Sequence, residues 1–350
     1  MKTIAVTASK SYEVKIGPGL LQYLPRELRA VTKATKLCIV SDHTVWSLYG
    51  DCVKDTLTDA GFSCVAFCFP AGEQSKCGKT WLALLEFLAE QRLTRSDCVI
   101  ALGGGVVGDL TGFAAASYLR GIDYVQVPTT LLAAVDSSVG GKTAIDLEAG
   151  KNLAGAFYQP KLVLCDTDTL RSLPDEIFRD GCAEVIKYGI LYDPDLFAHL
   201  KQRGPGFDRE AVIARCVELK RDVVAVDELD RGQRQKLNLG HTLGHGVEAQ
   251  SHFTLSHGKA VAIGMAMIAR AAEKLGLCRE DTRRAVEEIL LDFSLPTVPG
   301  CTGAEILSSA LSDKKRQGGT VNLIVPREIG RCDILPTPVE KLPGIIEAGM

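Results

Sequence analysis

The sequence has no apolar run approaching the ~20 residues that a membrane-spanning helix needs. Its longest candidate, Ala260 to Ala269, is closed off by Lys259 and Arg270. The apolar stretch in the opening MKTIAVTASK is too short for a signal peptide, so no leader is expected. Positive charge is not in excess. Forty Lys and Arg stand against 43 Asp and Glu, a net charge of −3, which speaks against a nucleic-acid-binding surface. The 12 cysteines, spread from Cys38 to Cys332, contain no Cys-x-x-Cys pair. A chain of 350 residues needs no disulfide scaffold. The cysteines are therefore expected to be reduced, mostly buried thiols in a cytoplasmic protein. Internal repeats and low-complexity tracts are absent.

What is present is ordinary for a soluble globular protein: 46% apolar and 24% charged residues. At roughly 150 residues per domain the length predicts two domains. The first half alternates strand and helix. Strands are predicted at 36–40, 63–69, 98–102 and 124–127, and helices at 45–57, 80–91 and 110–119. Such alternation predicts parallel βαβ units. Thr3–Val6 and Tyr12–Ile16 read as a hairpin. After Pro174 the spacing becomes helical, over 175–188, 209–226, 239–250, 258–275 and 279–291. The boundary is placed between residues 173 and 174. It separates a Rossmann-like α/β domain, 1–173, from an all-α domain, 174–350, and ligands commonly bind between two such domains.

Gly103, Gly105 and Gly108 fit G-x-G-x-x-G after a predicted strand, before a helix. Such a turn lets a pyrophosphate approach backbone N–H groups at a helix start. The motif follows the third strand–helix alternation rather than the first, and no acidic residue ends the next strand. Asp42, just past the 36–40 strand, is the acidic residue that could hold ribose hydroxyls. A tight turn without function is the alternative. Gly141-Lys142-Thr143 resembles the end of a P-loop, but that loop needs glycine at the position of Asp136, so ATP hydrolysis is rejected. Lys142 and Lys151 remain as loop lysines, solvated charges or an anion site. His241 and His245 lie at i and i+4 on one helical face, and His257 follows. Imidazoles so clustered suit zinc or a similar ion, with Glu184 as a possible carboxylate. Arg120, Lys187, Lys220, Arg234 and Lys314 form a scattered cationic set that spacing alone does not connect.

The blocks GGGVVGDLTGFAAASYLRG (103–121), VPTTLLAAVDSSVGGKTAID (127–146), GKNLAGAFYQP (150–160), AEVIKYGI (183–190), ELK (218–220), LNLGHTLGH (237–245) and HG (257–258) together resemble the 3-dehydroquinate synthase family. The resemblance runs from about Gly72 to Gly319, in the family's order. It implies an NAD-binding α/β domain, a helical metal-binding domain, catalysis in the cleft, and a homodimer. The implied substrate is 3-deoxy-D-arabino-heptulosonate 7-phosphate, and the implied products are 3-dehydroquinate and phosphate. One divalent ion, zinc or cobalt, would be held by Glu184, His241 and His257. His245 then neighbours the substrate phosphate, which overrides the i, i+4 reading. NAD contacts fall on Asp42, Glu73, Lys76, Gly105, Val106, Val107, Gly108 and Asp109. They continue on Thr129, Thr130, Asp136, Lys142 and Lys151, and on Thr169, Leu170, Arg171 and Ser172. Substrate contacts fall on Arg120, Lys220, Arg234, Asn238 and Lys314. Lys142, Asn152, Lys187 and His245 carry the catalytic roles.

Two positions depart from the family pattern. Asp230 stands where many relatives carry Glu, and Lys259 follows His257-Gly258 where Glu is frequent. Three rivals are weighed against this expectation. A polyol dehydrogenase of the related NAD- and metal-dependent class should lack the cationic set. Another sugar phosphate cyclase would not need Lys220, Arg234 and Asn238, which suit a carboxylate. A relative without catalysis would not need Glu184, His241, His257 and Lys142 intact. No nucleic-acid or membrane partner is expected.

Overall fold

The computed structural model describes residues 1–251, 254–314 and 319–350, the side chains of 309–314 excepted. By its contacts the chain divides into two units. One is Met1–Leu173 with Arg209–Leu229, the other Pro174–Asp208 with Asp230–Met350.

Among the described residues of the first unit lie nine strands. They are β1 (Lys2–Val6), β2 (Tyr12–Gly17), β3 (Lys36–Asp42), β4 (Ser63–Phe69), β5 (Cys98–Gly103), β6 (Asp123–Pro128), β7 (Lys142–Leu147), β8 (Gly150–Phe157) and β9 (Leu162–Asp166). Seven form one sheet in the order β1-β2-β9-β6-β5-β3-β4. Its pairings are parallel except β1 with β2, the hairpin expected from the sequence. The helices α1 (Leu24–Val31), α2 (His43–Val45), α3 (Asp51–Asp59), α4 (Gly78–Glu90) and α5 (Gly105–Ser117) complete the βαβ pattern. Successive side chains of a strand point to opposite faces. On one face Cys98, Ile100 and Leu102 of β5 pack with Leu24 and Leu28 of α1 and Val53 and Leu57 of α3. On the other, Val99 and Ala101 pack with Leu84 and Leu88 of α4 and Val107, Leu110 and Ala114 of α5. A sheet covered on both faces has strands that read as unbroken apolar runs, which is why they were legible.

Strand β3 pairs with both β4 and β5. The chain leaves β3 for β4 at the edge, then crosses back to β5 and on to β6. The carboxyl ends of β3 and β5, which carry Asp42 and Gly103, therefore flank the topological switch point where open α/β sheets bind ligands. Helix α5 begins at Gly105, with Gly104 as N-cap, and not at Leu110 as expected. The glycine run is itself the first helical turn. A Cβ on Gly108 would lie 2.7 Å from Gln126 Oε1, so glycine sets how close the helix comes to β6.

Three expectations are corrected here. Lys142 and Lys151 lie on the antiparallel hairpin β7–β8, not in loops. Strand β9 was not expected at all. Helix α8 (Arg209–Val226) was assigned to the helical half, yet its contacts place it in the first unit. There Lys220 Nζ donates to the Asp136 carbonyl at 2.7 Å. Glu210 meets the Met1 ammonium at 3.3 Å. Just past the helix, Glu228 accepts from the backbone N–H and hydroxyl of Ser9 at 2.7 and 2.6 Å. Long-range pairing of this kind leaves no mark in local periodicity.

The second unit is helical: α6 (Asp175–Tyr192), α7 (Pro194–Arg203), α9 (His241–Gln250), α10 (His257–Lys274), α11 (Glu280–Asp292), α12 (Gly303–Lys314) and α13 (Leu342–Gly349). To these it adds the hairpin β10 (Thr320–Glu328) and β11 (Arg331–Pro338), which the sequence reading did not include. The apolar run 260–269 is the buried body of α10. Small residues let α9 and α10 cross closely. A Cβ on Gly264 would stand 1.9 Å from the Gly240 carbonyl oxygen, and one on Gly244 2.6 Å from that of Ala260. None of the described helices is long and apolar enough to cross a membrane. None of the twelve cysteines forms a disulfide. Six of them (Cys38, Cys98, Cys165, Cys182, Cys216 and Cys332) are buried and Cys52 is exposed, so burial holds for half rather than most.

Candidate active site

In the second unit, α6, α9 and the start of α10 bring Glu184, His241 and His257 together. Glu184 Oε1 lies 3.5 Å from His241 Nε2 and 3.2 Å from His257 Nε2. One donor atom from each residue falls within 4.8 Å of the others. His241 Nδ1 faces the Leu239 carbonyl at 3.1 Å. A proton held there leaves Nε2 as the lone-pair donor. Burial, then the Lys187 ammonium and the neighbouring imidazoles, hold the His241 pKa well below its usual value, so the ring is neutral. Burial would lower His257 as well, but its hydrogen bond to Glu184 and that carboxylate's charge raise it. Lys187, one turn on from Glu184, pairs with Glu184 Oε2, and both side chains are 1% exposed. Two imidazoles with one carboxylate are a donor set that fits zinc or cobalt.

Gly258 makes this convergence possible. A Cβ there would sit 2.0 Å from the Asp180 carbonyl oxygen. Asp180 in turn accepts from Ser256 Oγ at 2.6 Å and from the Lys259 N–H at 3.0 Å, which anchors the start of α10 beside α6. Lys259 Nζ pairs with Glu176, so its charge is directed to a carboxylate on α6. His245 lies close by, its ring centroid 5.5 Å from that of His241. His245, Glu248 and His257 form a second group whose donor atoms lie within 4.8 Å. Sequence reasoning did not single out Glu248, although it stands three residues after His245 on the same helix.

In the first unit, the N-terminal N–H groups of α5 have a glycine N-cap and no capping side chain. Thr129, whose N–H donates to the Gly103 carbonyl at 3.0 Å, has a buried hydroxyl with no hydrogen-bond partner. An uncapped helix start beside an orphaned hydroxyl at the switch point fits a dinucleotide pyrophosphate. Asp42 caps α2, accepting from the Val45 N–H at 2.9 Å. Thr130 Oγ1 accepts from the Ala133 N–H at 3.2 Å. The turn containing Leu170 is braced by Tyr49, whose hydroxyl donates to the Thr169 carbonyl at 3.1 Å and lies 2.5 Å from Ser172 Oγ. Arg171 pairs with Asp168 at 3.0 Å. Val107 is buried and Val106 partly so.

Lys76 is the hub of a second cluster in this unit, only 5% exposed. Its ammonium lies 3.0 Å from Glu73, 3.3 Å from Asp109 and 3.8 Å from Asp146. It also donates to Asn152 Oδ1 at 2.8 Å. Burial would lower the Lys76 pKa, but the three carboxylates outweigh it and raise it. Asp109, desolvated, is pushed up to about 6 in spite of Lys76. Lys151 lies 3.7 Å from Glu73. Four residues expected around NAD (Glu73, Lys76, Asp109 and Lys151) thus meet with Asn152, expected at the substrate. Asp146 was missed. It sits inside a quoted motif block, and no spacing rule links it to positions 76 and 152.

The remaining expected residues are placed as follows. Lys220, 5% exposed, pairs with Asp136, so a residue expected at the substrate and one expected at NAD form an ion pair. Lys142 is exposed on β7. Arg120 is exposed with φ +64°, after Leu119 at φ +52°, in the turn that ends α5. Arg234 is 1% exposed, on the turn 233–238 that ends at exposed Asn238. Asp230 has φ +57°, a left-handed conformation that Asp tolerates better than most residues. The Lys314 side chain lies outside the described residues.

A doubly covered parallel sheet with a glycine turn at its switch point, and a helical unit with a carboxylate–diimidazole donor set, define a class. They belong to proteins built to hold a dinucleotide and a divalent ion on a two-unit chain. A family model described as 3-dehydroquinate synthase N-terminal matches residues 66–180, and one described as 3-dehydroquinate synthase C-terminal matches residues 181–316. The 3-dehydroquinate synthase of Clostridium botulinum is 43% identical over 347 residues, 97% of this chain and 99% of its own length. The chain belongs to the 3-dehydroquinate synthase family. Its fold matches a 2-deoxy-scyllo-inosose synthase complexed with carbaglucose-6-phosphate, NAD+ and Co2+, with TM-score 0.90 at 23% identity over the whole of both chains. It also matches the 2-epi-5-epi-valiolone synthase of Streptomyces hygroscopicus with NAD+ and Zn2+ bound, with TM-score 0.88 at 27% identity over 99% of this chain and 98% of that one.

Proposed function

We propose that this chain is a 3-dehydroquinate synthase, a carbon–oxygen lyase that converts 3-deoxy-D-arabino-heptulosonate 7-phosphate to 3-dehydroquinate and phosphate in the shikimate route to chorismate. It uses NAD and one divalent ion, zinc or cobalt. The observation that carries this reading is the Glu184, His241 and His257 donor set, converging within 4.8 Å in a chain 43% identical to a named synthase over 97% of its length. In this reading residues 1–173 bind NAD and residues 174–350 bind metal and substrate. Homodimeric assembly and a cytoplasmic location belong to the same proposal and rest on the family alone.

When bound, NAD takes up and returns a hydride and the divalent ion polarises the hydroxyl being oxidised. The chain supplies the rest. Glu184, His241 and His257 would hold the ion. Lys187, paired with Glu184 Oε2, holds that carboxylate turned toward the imidazoles. The uncapped start of α5, with Thr129, Thr130 and Asp42, receives the dinucleotide. Arg234, Asn238, Lys220 and Lys314 bind the substrate carboxylate and ring hydroxyls, and a guanidinium fork suits a carboxylate best. Arg120, Lys142, Asn152 and His245 orient the phosphate, whose own oxygen takes the ring proton as the C–O bond breaks. The ring then opens and closes again by an internal aldol step, with no net redox change.

The test is phosphate release from the heptulosonate phosphate with trace NAD. The expected result is one phosphate per dehydroquinate and no accumulation of NADH. NADH rising in proportion to turnover would instead identify a dehydrogenase. Release only from a sugar phosphate lacking the carboxylate would identify another cyclase.

A further inference from the structure

We infer that Asp146 is a positioning residue that holds Lys76 and Asn152 in register, an assignment that rests on the proposed synthase reading. Three contacts close a ring. The Asp146 backbone N–H donates to the Lys76 carbonyl at 2.7 Å, fixing β7 to the segment that carries Lys76. The Asp146 carboxylate accepts from the Asn152 backbone N–H at 2.8 Å. The Lys76 ammonium donates to Asn152 Oδ1 at 2.8 Å.

The need for such a clamp is visible in the backbone. Asn152 has φ +56° inside β8, where an extended conformation would be expected. The β7–β8 register shifts between Ile145 and Leu147, at Asp146 itself. A left-handed residue in a strand costs free energy and persists only where its surroundings over-determine it. Asp146 supplies that constraint from the facing strand. It turns the Asn152 amide toward Lys76, and its own charge, 3.8 Å from the ammonium, adds to those of Glu73 and Asp109. Asp146 touches neither substrate nor NAD in this account. It acts through the two residues that do.

The experiment compares Asp146→Asn, Asp146→Ala and Asn152→Gly. Asparagine keeps an oxygen that accepts from the Asn152 N–H, so Asp146→Asn should retain kcat within about threefold, whereas Asp146→Ala should lower it on the order of tenfold to a hundredfold, the range of lost supporting contacts at active sites. Metal content should be unchanged in both. Amide exchange of the 150–157 segment should be slow in the wild type and in Asp146→Asn, and faster in Asp146→Ala. This readout needs no turnover, so it tests the clamp even if the heptulosonate phosphate proves not to be the substrate. Glycine adopts φ > 0 freely. Adding Asp146→Ala to Asn152→Gly should therefore have little further effect on kcat. Multiplying losses in that double variant, or equal kcat for Asp146→Ala and wild type, would overturn the assignment. So would unchanged exchange in Asp146→Ala.

Discussion

In the first unit a buried ammonium, that of Lys76, gathers carboxylates from three separate segments, Glu73, Asp109 and Asp146. In the second a buried carboxylate, that of Glu184, gathers two imidazoles and the Lys187 ammonium. The first cluster satisfies its cation internally and can stand without a ligand. The second brings Nε2 of His241 and Nε2 of His257 to one oxygen of Glu184, and a donor set that converges in this way suits a cation. A polar cluster that closes on itself orients its members. One that leaves donors converging recruits an ion. This contrast can be broken or sharpened by experiment.

The largest effect is expected at His241. His241→Ala should lose the divalent ion, and an ion acting as a Lewis acid supplies several kcal/mol of barrier lowering, so turnover should fall on the order of a thousandfold. Metal analysis of the purified variant checks this, and full occupancy would sink the ligand assignment. NAD affinity should be nearly unchanged, because the residues proposed to receive the dinucleotide lie in the other unit.

Arg234→Ala comes next. A charged hydrogen-bond partner contributes about 1.5–3 kcal/mol, so kcat/KM should fall roughly tenfold to a hundredfold with metal content preserved. Steady-state kinetics on variant protein shown to be folded decides it. A loss below about twofold, far short of a charged partner's contribution, would reject a carboxylate-binding role.

Two glycines compare the units directly. In Gly258→Ala the new Cβ meets a backbone oxygen of Asp180 at 2.0 Å, and in Gly108→Ala it meets the side-chain tip of Gln126 at 2.7 Å. A backbone carbonyl yields less readily than an amide tip. Gly258→Ala should cost about 1–3 kcal/mol of stability, the usual range for overpacking, and Gly108→Ala less. Denaturant unfolding of both variants measures the difference, and the reverse order would mean that α6 and α10 are not held as rigidly as the packing suggests.

The smallest effect concerns pH. Asp109 has a pKa pushed up to about 6 by desolvation, above the 3.8 of an ordinary aspartate. The folded protein therefore binds this proton more tightly than the unfolded chain. Stability contributed by the protonated carboxyl is present below about pH 4 and is lost as pH rises to about 6. With a fifth of the side chain exposed, water limits the change to about 1 kcal/mol. Asp109→Asn should flatten stability between pH 4 and 6 without altering metal binding. An unchanged slope would show that Lys76 keeps Asp109 ionised throughout.

Much of the fold was legible in the sequence because its signals are local. The strands β3 to β6 are apolar runs, and α6, α9, α10 and α11 of the second unit show their period, whereas α7, α12 and α13 were not read from it. Strand β9 has only five residues, and the hairpin β7–β8 hides its alternation among glycines and the left-handed Asn152. The helical spacing of α8 was correct, yet spacing carries no information about which unit a helix joins. At the metal donor set, spacing favoured His241 with His245, and the rings are indeed neighbours at 5.5 Å. The family motifs favoured His257 instead, and its ring lies 5.2 Å from His241. What separates the two histidines is Glu184, 73 positions from His257 in the chain and 3.2 Å from it in space.

The sequence by itself determined many of the elements, the glycine turn and, through its motifs, the family. Those depend on side-chain period and on where glycine is tolerated, both properties of a short stretch of chain. Only the tertiary structure decided which charges meet: Lys220 with Asp136, Lys76 with Asp146, Glu184 with Lys187 and two imidazoles. Electrostatic pairing falls off with distance in space and is blind to distance along the chain, so it is set by packing, down to the missing Cβ of Gly258.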